Sequence, residues 1–186
     1  MKIYTKKGDD GTTGLLYGGR VSKNSPQVEL NGAVDEAQAF MGLARASCAR
    51  GGELDRILID LESDLWILMA EIATEADNRS KLTSGKSLIN NEMIANLESL
   101  IDMVTEKFEF PNQFAVPGQN PLSAALDVAR TVIRRAERLS VSFVANNPES
   151  LVGRYLNRLS DLMWTLARWQ EDEHLTSKQV KQSKAD

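Results

Sequence analysis

Three arginines stand four residues apart in the stretch Asp127-Val128-Ala129-Arg130-Thr131-Val132-Ile133-Arg134-Arg135-Ala136-Glu137-Arg138. At about 100° per residue, a helix would carry Arg130, Arg134 and Arg138 up one face. Leu126, Ala129, Val132, Ile133, Ala136 and Phe143 would cover roughly the opposite side. Guanidiniums stacked in this way repel one another, so something must compensate them. A polyphosphate does this well, because the guanidinium fork matches phosphate oxygens. A solvated face with Asp127 and Glu137 as partners on the same helix also accounts for the pattern, and by spacing alone it is favoured.

Other groups could join such a site. The opening loop, Thr5-Lys6-Lys7-Gly8-Asp9-Asp10-Gly11-Thr12-Thr13, offers hydroxyls, two lysines and amides spaced by glycine. Loops of this kind can wrap phosphate with backbone N–H groups. The GxxxxGK[ST] spacing of a Walker A loop is absent. Asp35-Glu36 lies among small and apolar neighbours, either as a surface pair or as an acid that orients an arginine of the ladder. Asn157, Asp161 and Arg168 would share one face of a later helix, a solvated face or a second polar wall. His174 is the single histidine and Cys48 the single cysteine. One of each rules out a Cys/His metal cluster and an intrachain disulfide, and a histidine placed near the chain end leaves none for a catalytic triad. A lone histidine near a chain end is ordinarily a surface residue. Chemistry here must come from positioning and electrostatics.

The elements that must hold these groups are helical. Residues 1–25 carry Gly8, Gly11, Gly14, Gly18 and Gly19, which predicts a structured loop without strands. Ser25-Pro26 starts a first helix that ends before Gly51-Gly52, with Val28, Val34, Ala37, Met41 and Ala44 at helical spacing. A second helix is expected over 54–77, with Ile57, Leu61, Leu65, Leu68 and Ile72 on one side, and a third over 90–108. A loop with Pro111, Pro117 and Gly118 precedes Asn120-Pro121, which opens a fourth helix running to Asn146. Asn147-Pro148 repeats that signal for a fifth helix to Glu173, and the polar tail over 175–186 should fray. The pattern predicts a single all-α domain over 1–186: a glycine-rich loop, then a five-helix antiparallel bundle over 26–174.

Bulk properties agree. The chain has 186 residues, 42% hydrophobic and 26% charged, enough for one domain with a real core. A formal net charge of -4 speaks against general affinity for nucleic acid or anionic membranes, so any anion site must be local. The start lacks the apolar run of a signal peptide, and no stretch approaches a membrane span, so a cytoplasmic protein is expected.

Taken together, TKKGDDGTTGL, NGAVDEAQAFMGLAR and the pair ALDVARTVIRRAERLSV and LNRLSDLMWTLAR resemble the PduO-type cobalamin adenosyltransferases. The match runs in order along nearly the whole chain. The resemblance implies a ferritin-like, up-and-down bundle assembled as a homotrimer, with active sites between subunits. It implies transfer of the 5'-deoxyadenosyl group of ATP to Co(I) of cobalamin, releasing triphosphate. Thr5, Lys6, Gly8, Asp9, Gly11, Thr12 and Thr13 match the family's nucleotide loop, and Lys23 its phosphate-contacting lysine. Arg130, Arg134, Glu137, Arg138 and Asn157 match its ATP-binding helices. Asp35 matches an acid that bridges to Arg130, and Phe114 the aromatic that crowds the lower face of the corrin. The family often has Pro-Gly-Gly after that aromatic, where this chain has Pro117-Gly118-Gln119. Mg2+ is expected chiefly through the ATP phosphates, with no protein ligands assigned. A corrinoid reductase and an adenosylcobalamin-dependent enzyme are the implied partners. The alternatives are a non-catalytic ATP-binding helical regulator and an adenosylcobalamin carrier.

Overall fold

The computed structural model of the chain describes residues 3–111 and 113–183. Positions 1–2, 112 and 184–186 lie outside it, including the ends of the expected loop and tail. The protein is mostly helical with one small sheet: β1 (Thr12–Gly14), β2 (Arg20–Ser22), α1 (Pro26–Ala46), α2 (Glu53–Ile72), a 3-10 helix (Ala76–Lys81), α3 (Asn91–Thr105), α4 (Pro121–Asn146), α5 (Val152–Trp169) and a short α6 (Ser177–Gln182).

Local chemistry sets the helix starts. Ser25 accepts a hydrogen bond from the Val28 amide, and Pro26 occupies the first turn of α1, where its missing N–H costs nothing. Asn120 accepts from the Ser123 amide at 2.8 Å and closes a capping box at the start of α4. Asn90 accepts from the Met93 amide at 2.9 Å at the start of α3. α5 differs from expectation. It begins at Val152, because 147–151 forms a turn in which the Ser150 amide bonds Asn147 O and the Ser150 hydroxyl donates to Glu71 at 2.6 Å.

α1 packs on α4 and α2, and α4 and α3 pack on α5. The shared core is fully buried: Leu30, Val34, Ala37 and Met41 of α1, Leu126, Ala129, Ile133 and Ala136 of α4, and Tyr155, Leu159, Leu162 and Leu166 of α5. The apolar stripes of α2 and α4 fall where the periodicity predicts them.

α3 also ends at Thr105 rather than 108, and α5 at Trp169 rather than 173; three further expectations need correction. First, the opening loop contains a strand pair. β1 and β2 run antiparallel with Thr13 opposite Val21, and Gly18 and Gly19, both at positive φ, turn the chain between them. Three-residue strands with one valine leave no readable alternation. Second, α2 stops at Ile72 rather than 77, since the Leu16 amide takes the Ala73 carbonyl at 2.8 Å and draws the chain out of the helix. Third, the tail does not fray over its described length. The Val116 amide donates to Leu175 O at 2.7 Å and the Ser177 amide to Phe114 O at 2.9 Å. The tail thus pairs with the loop that carries Phe114 before it enters α6.

Candidate active site

Two regions hold the expected residues. The first is the opening loop. Asp10 accepts from the Thr12 amide at 3.0 Å and the Thr12 hydroxyl at 2.7 Å, and these bonds hold its carboxyl below the usual carboxylate range. The Arg20 Nε donates to the Thr12 hydroxyl at 2.9 Å, and another nitrogen of the same guanidinium donates to Lys7 O. The Lys23 amide bonds Gly11 O at 2.9 Å, and a Cβ on Gly8 would meet the Lys23 ammonium at 3.1 Å. Lys23 is therefore drawn under the glycine turn. Gly11 sits at φ 79°, a conformation a side chain would strain. Thr5, Lys6 and Asp9 are exposed and Thr13 is half-buried. Asp10 and Arg20, which shape the loop, were not anticipated, and nothing in their spacing marks them.

The second region is the arginine face of α4. Arg134 pairs with Glu137 at 2.8 Å, and Glu137 also accepts from Asn157 of α5 at 2.9 Å. Arg138 is exposed and has no acidic partner among the described residues. Arg130 Nε donates to Asp127 at 3.1 Å. Asp35 is exposed on α1 and does not reach Arg130 within the chain. Its neighbour Glu36 pairs instead with Arg135, on the other side of α4. The ladder is thus only partly compensated from its own helix. Among the described residues no hydrogen bond or ion pair joins loop 5–13 to the ladder.

Below Arg130 opens a cleft of about 700 Å³, walled by Phe110, Phe114, Trp164, Asp127, Arg130 and Arg168. Phe114 stands 87% exposed at its mouth. Arg168, expected on a polar face with Asn157 and Asp161, is instead buried and bonded to Asp127 at 2.5 Å. Its position follows from α5 being apolar on nearly all sides at this end. Asp161 stays outside, paired with Arg158. His174 is not a bare surface residue. It bonds Glu171 at 2.9 Å and lies edge-on to Phe108.

Arg130 is thus common to two features, the cationic face of α4 and a cleft with aromatic walls. A cobalamin adenosyltransferase family profile matches residues 3–170. The corrinoid adenosyltransferase PduO of Salmonella typhimurium is 37% identical over 175 residues, which cover 93% of this chain and 51% of that protein. The chain spans about half the length of that relative, whereas the match to the corrinoid adenosyltransferase of Citrobacter freundii covers 95% of its length at 38% identity over 171 residues, 91% of this chain. A variant PduO-type ATP:corrinoid adenosyltransferase from Lactobacillus reuteri, solved with cobalamin and ATP, superposes with a TM-score of 0.78 at 32% identity, covering 90% of each chain. With that profile spanning most of the chain and relatives of this identity matched over nearly their whole length, the chain belongs to the cobalamin adenosyltransferase family.

Proposed function

We infer that the protein is an ATP:corrinoid adenosyltransferase, which moves the 5'-deoxyadenosyl group of ATP onto Co(I) of cobalamin. The observation that carries this is Arg130: one guanidinium borders both the cation ladder and the aromatic cleft. That adjacency is what a reaction between a nucleotide and a corrinoid needs.

The five long helices are read as an antiparallel up-and-down bundle that assembles as a homotrimer. Two features support assembly. Loop and ladder do not meet within one chain, and exposed Leu43, Ile59, Trp66 and Val141 leave apolar surface uncovered. The loop of one protomer would close on the ladder of the next. Asp127 engages only the Nε of Arg130, so its terminal nitrogens can take a second acceptor, the partner's Asp35.

In this arrangement Thr5, Lys6, Gly8, Asp9, Gly11, Thr12, Thr13 and Lys23 enclose the ATP phosphates with hydroxyls, amides and an ammonium. Arg134 and Arg138 neutralise the triphosphate, while Glu137 and Asn157 hold Arg134 in place. Phe114 keeps the lower face of the corrin apolar, so cob(II)alamin binds without its lower nitrogen ligand and is more easily reduced. The Co(I) electron pair then forms the Co–C5' bond, the C5'–O bond breaks, and its electrons leave on triphosphate. Among the described residues no group of three or more Asp, Glu, His or Cys is poised to hold a metal. Mg2+ would be held chiefly by the ATP phosphates and would neutralise their charge there.

The test is incubation with ATP and chemically reduced cobalamin. The visible spectrum should change to that of a light-sensitive alkylcobalamin as triphosphate is released. ATP binding without either product would favour the regulator. No helix among the described residues is long and apolar enough to cross a membrane.

A further inference from the structure

Arg168 is 1% exposed, as buried as any leucine of the core. A buried guanidinium costs several kcal/mol in lost hydration and is tolerated only when its partners are well placed. Here they are Asp127 at 2.5 Å and Glu171 at 3.0 Å, themselves 5% and 7% exposed. With Arg130 added, two guanidiniums face two carboxylates, so the group is neutral overall. An apolar side chain of similar volume would hold α5 against α4 with less desolvation, so the ion pair is better explained by what it positions.

The geometry says what that is. Asp127 uses both oxygens: Oδ2 accepts from Arg168 and Oδ1 from Arg130 Nε. A carboxylate fixed at one oxygen cannot rotate without losing the bond at the other. Arg168 therefore sets the plane of Asp127, and Asp127 sets the root of the Arg130 guanidinium. All three residues wall the cleft that Phe114 also lines. The Nε of Arg168 has no acceptor among the described residues, and its guanidinium lies 5.8 Å from the Trp164 ring centroid on the same wall. The same guanidinium meets Glu171, which bonds His174, so the group is anchored at its far end as well.

We propose that Arg168 is a positioning residue for the corrinoid half of the reaction, acting through Asp127 to place Arg130 beside the bound macrocycle. The inference rests on reading the cleft as the corrinoid site. A purely structural Arg168 would affect stability and all kinetic constants together. A positioning Arg168 would act on the corrinoid side and leave ATP binding nearly untouched.

Full-length wild type, Arg168→Lys, Asp127→Asn and the double variant separate these cases. Lysine keeps the charge but replaces the planar guanidinium, whose Nη2 meets both carboxylates, with a rotatable ammonium on a shorter, differently aimed stem. Each protein is measured for its urea midpoint, for KM(ATP), for kcat with cob(II)alamin and a reductant, and for the four-coordinate fraction of bound cob(II)alamin by electron paramagnetic resonance. Folded Arg168→Lys should lose about 10-fold in kcat, with a matching fall in the four-coordinate signal. Its KM(ATP) should move by less than about 2-fold. The double variant should be no worse than Asp127→Asn, because Arg168 acts through that carboxylate. Wild-type kcat and spectrum in Arg168→Lys, or losses that simply add in the double variant, would overturn the positioning role alone. If Arg168→Lys does not fold, Asp127→Asn decides: a reduced four-coordinate fraction supports the proposal and an unchanged one overturns it. A wild type that forms no adenosylcobalamin overturns the reading of the cleft together with the inference.

Discussion

Replacing Phe114 by alanine separates binding from folding more cleanly than any other change in this protein. The ring is 87% exposed, so its removal takes almost nothing from the core. Its backbone carbonyl, which accepts from the Ser177 amide, is retained. Folding stability should change by no more than about 0.5 kcal/mol. The bound corrin is a different matter, because it would cover the ring. Burying a phenylalanine side chain contributes about 1.5–3 kcal/mol, and each 1.4 kcal/mol is a factor of ten. Phe114→Ala should therefore lower adenosylation of cob(II)alamin by about 10- to 100-fold, with KM for ATP nearly unchanged. The loss should shrink when the corrinoid is supplied already reduced, since Co(I) no longer needs its lower ligand displaced. Urea melts and the two assays run side by side provide the check. The reasoning fails if the variant unfolds more easily in proportion to its lost activity, or if both corrinoid substrates slow equally.

Three further outcomes are expected. Arg134→Ala should reduce kcat/KM for ATP at least about tenfold, the worth of one lost charge-assisted bond, whereas Arg135→Ala loses only an exposed pair with Glu36 and should stay near wild type; equal losses in two folded variants would count against the ladder. Asp35→Asn should weaken assembly in sedimentation experiments or raise KM for ATP, and a variant unchanged in both would remove the bridge to the neighbouring Arg130. Asp64 accepts from the buried Tyr155 hydroxyl at 2.9 Å, and burial raises its pKa above the ordinary 3.8. A raised folded pKa stabilises fully below the unfolded value and loses that contribution as pH rises through the folded one. The wild-type urea midpoint, measured relative to Asp64→Asn, should accordingly fall as pH rises from the ordinary carboxylate range through the raised folded value; a difference that stays constant with pH would contradict the assignment.

Much of this was legible because helix periodicity and caps are local signals. Ser25-Pro26 and Asn120-Pro121 mark their helices to the residue, and the apolar stripes of α2 and α4 are buried as their spacing requires. The β1–β2 pair is local and was missed because three-residue strands show no alternation; the other misreadings depend on a partner far along the chain. The start of α5 is displaced because Ser150 serves Glu71, 79 residues away. The end of α2 is drawn out by Leu16. The tail looked unstructured because its composition is polar, yet its order comes from backbone bonds to the Phe114 loop, which carry no residue preference. At the site, the ladder was visible in one helix turn pattern. The burial of Arg168 was not, because a charged residue at a polar-looking position reads as exposed until its carboxylates are found on α4 and beyond α5. Arg130 and Asp35 show the converse: the chain by itself leaves them apart.

In the proposed reaction a stack of guanidiniums on α4 and a glycine-rich loop together grip the nucleotide's phosphates. A crystal grown with ATP and Mg2+ measures this directly. The triphosphate should lie enclosed by residues 5–13 and Lys23 of one protomer, within hydrogen-bond reach of Arg134 and Arg138 of its neighbour. Electron density that placed the phosphates elsewhere, with both guanidiniums turned into open solvent, would contradict it.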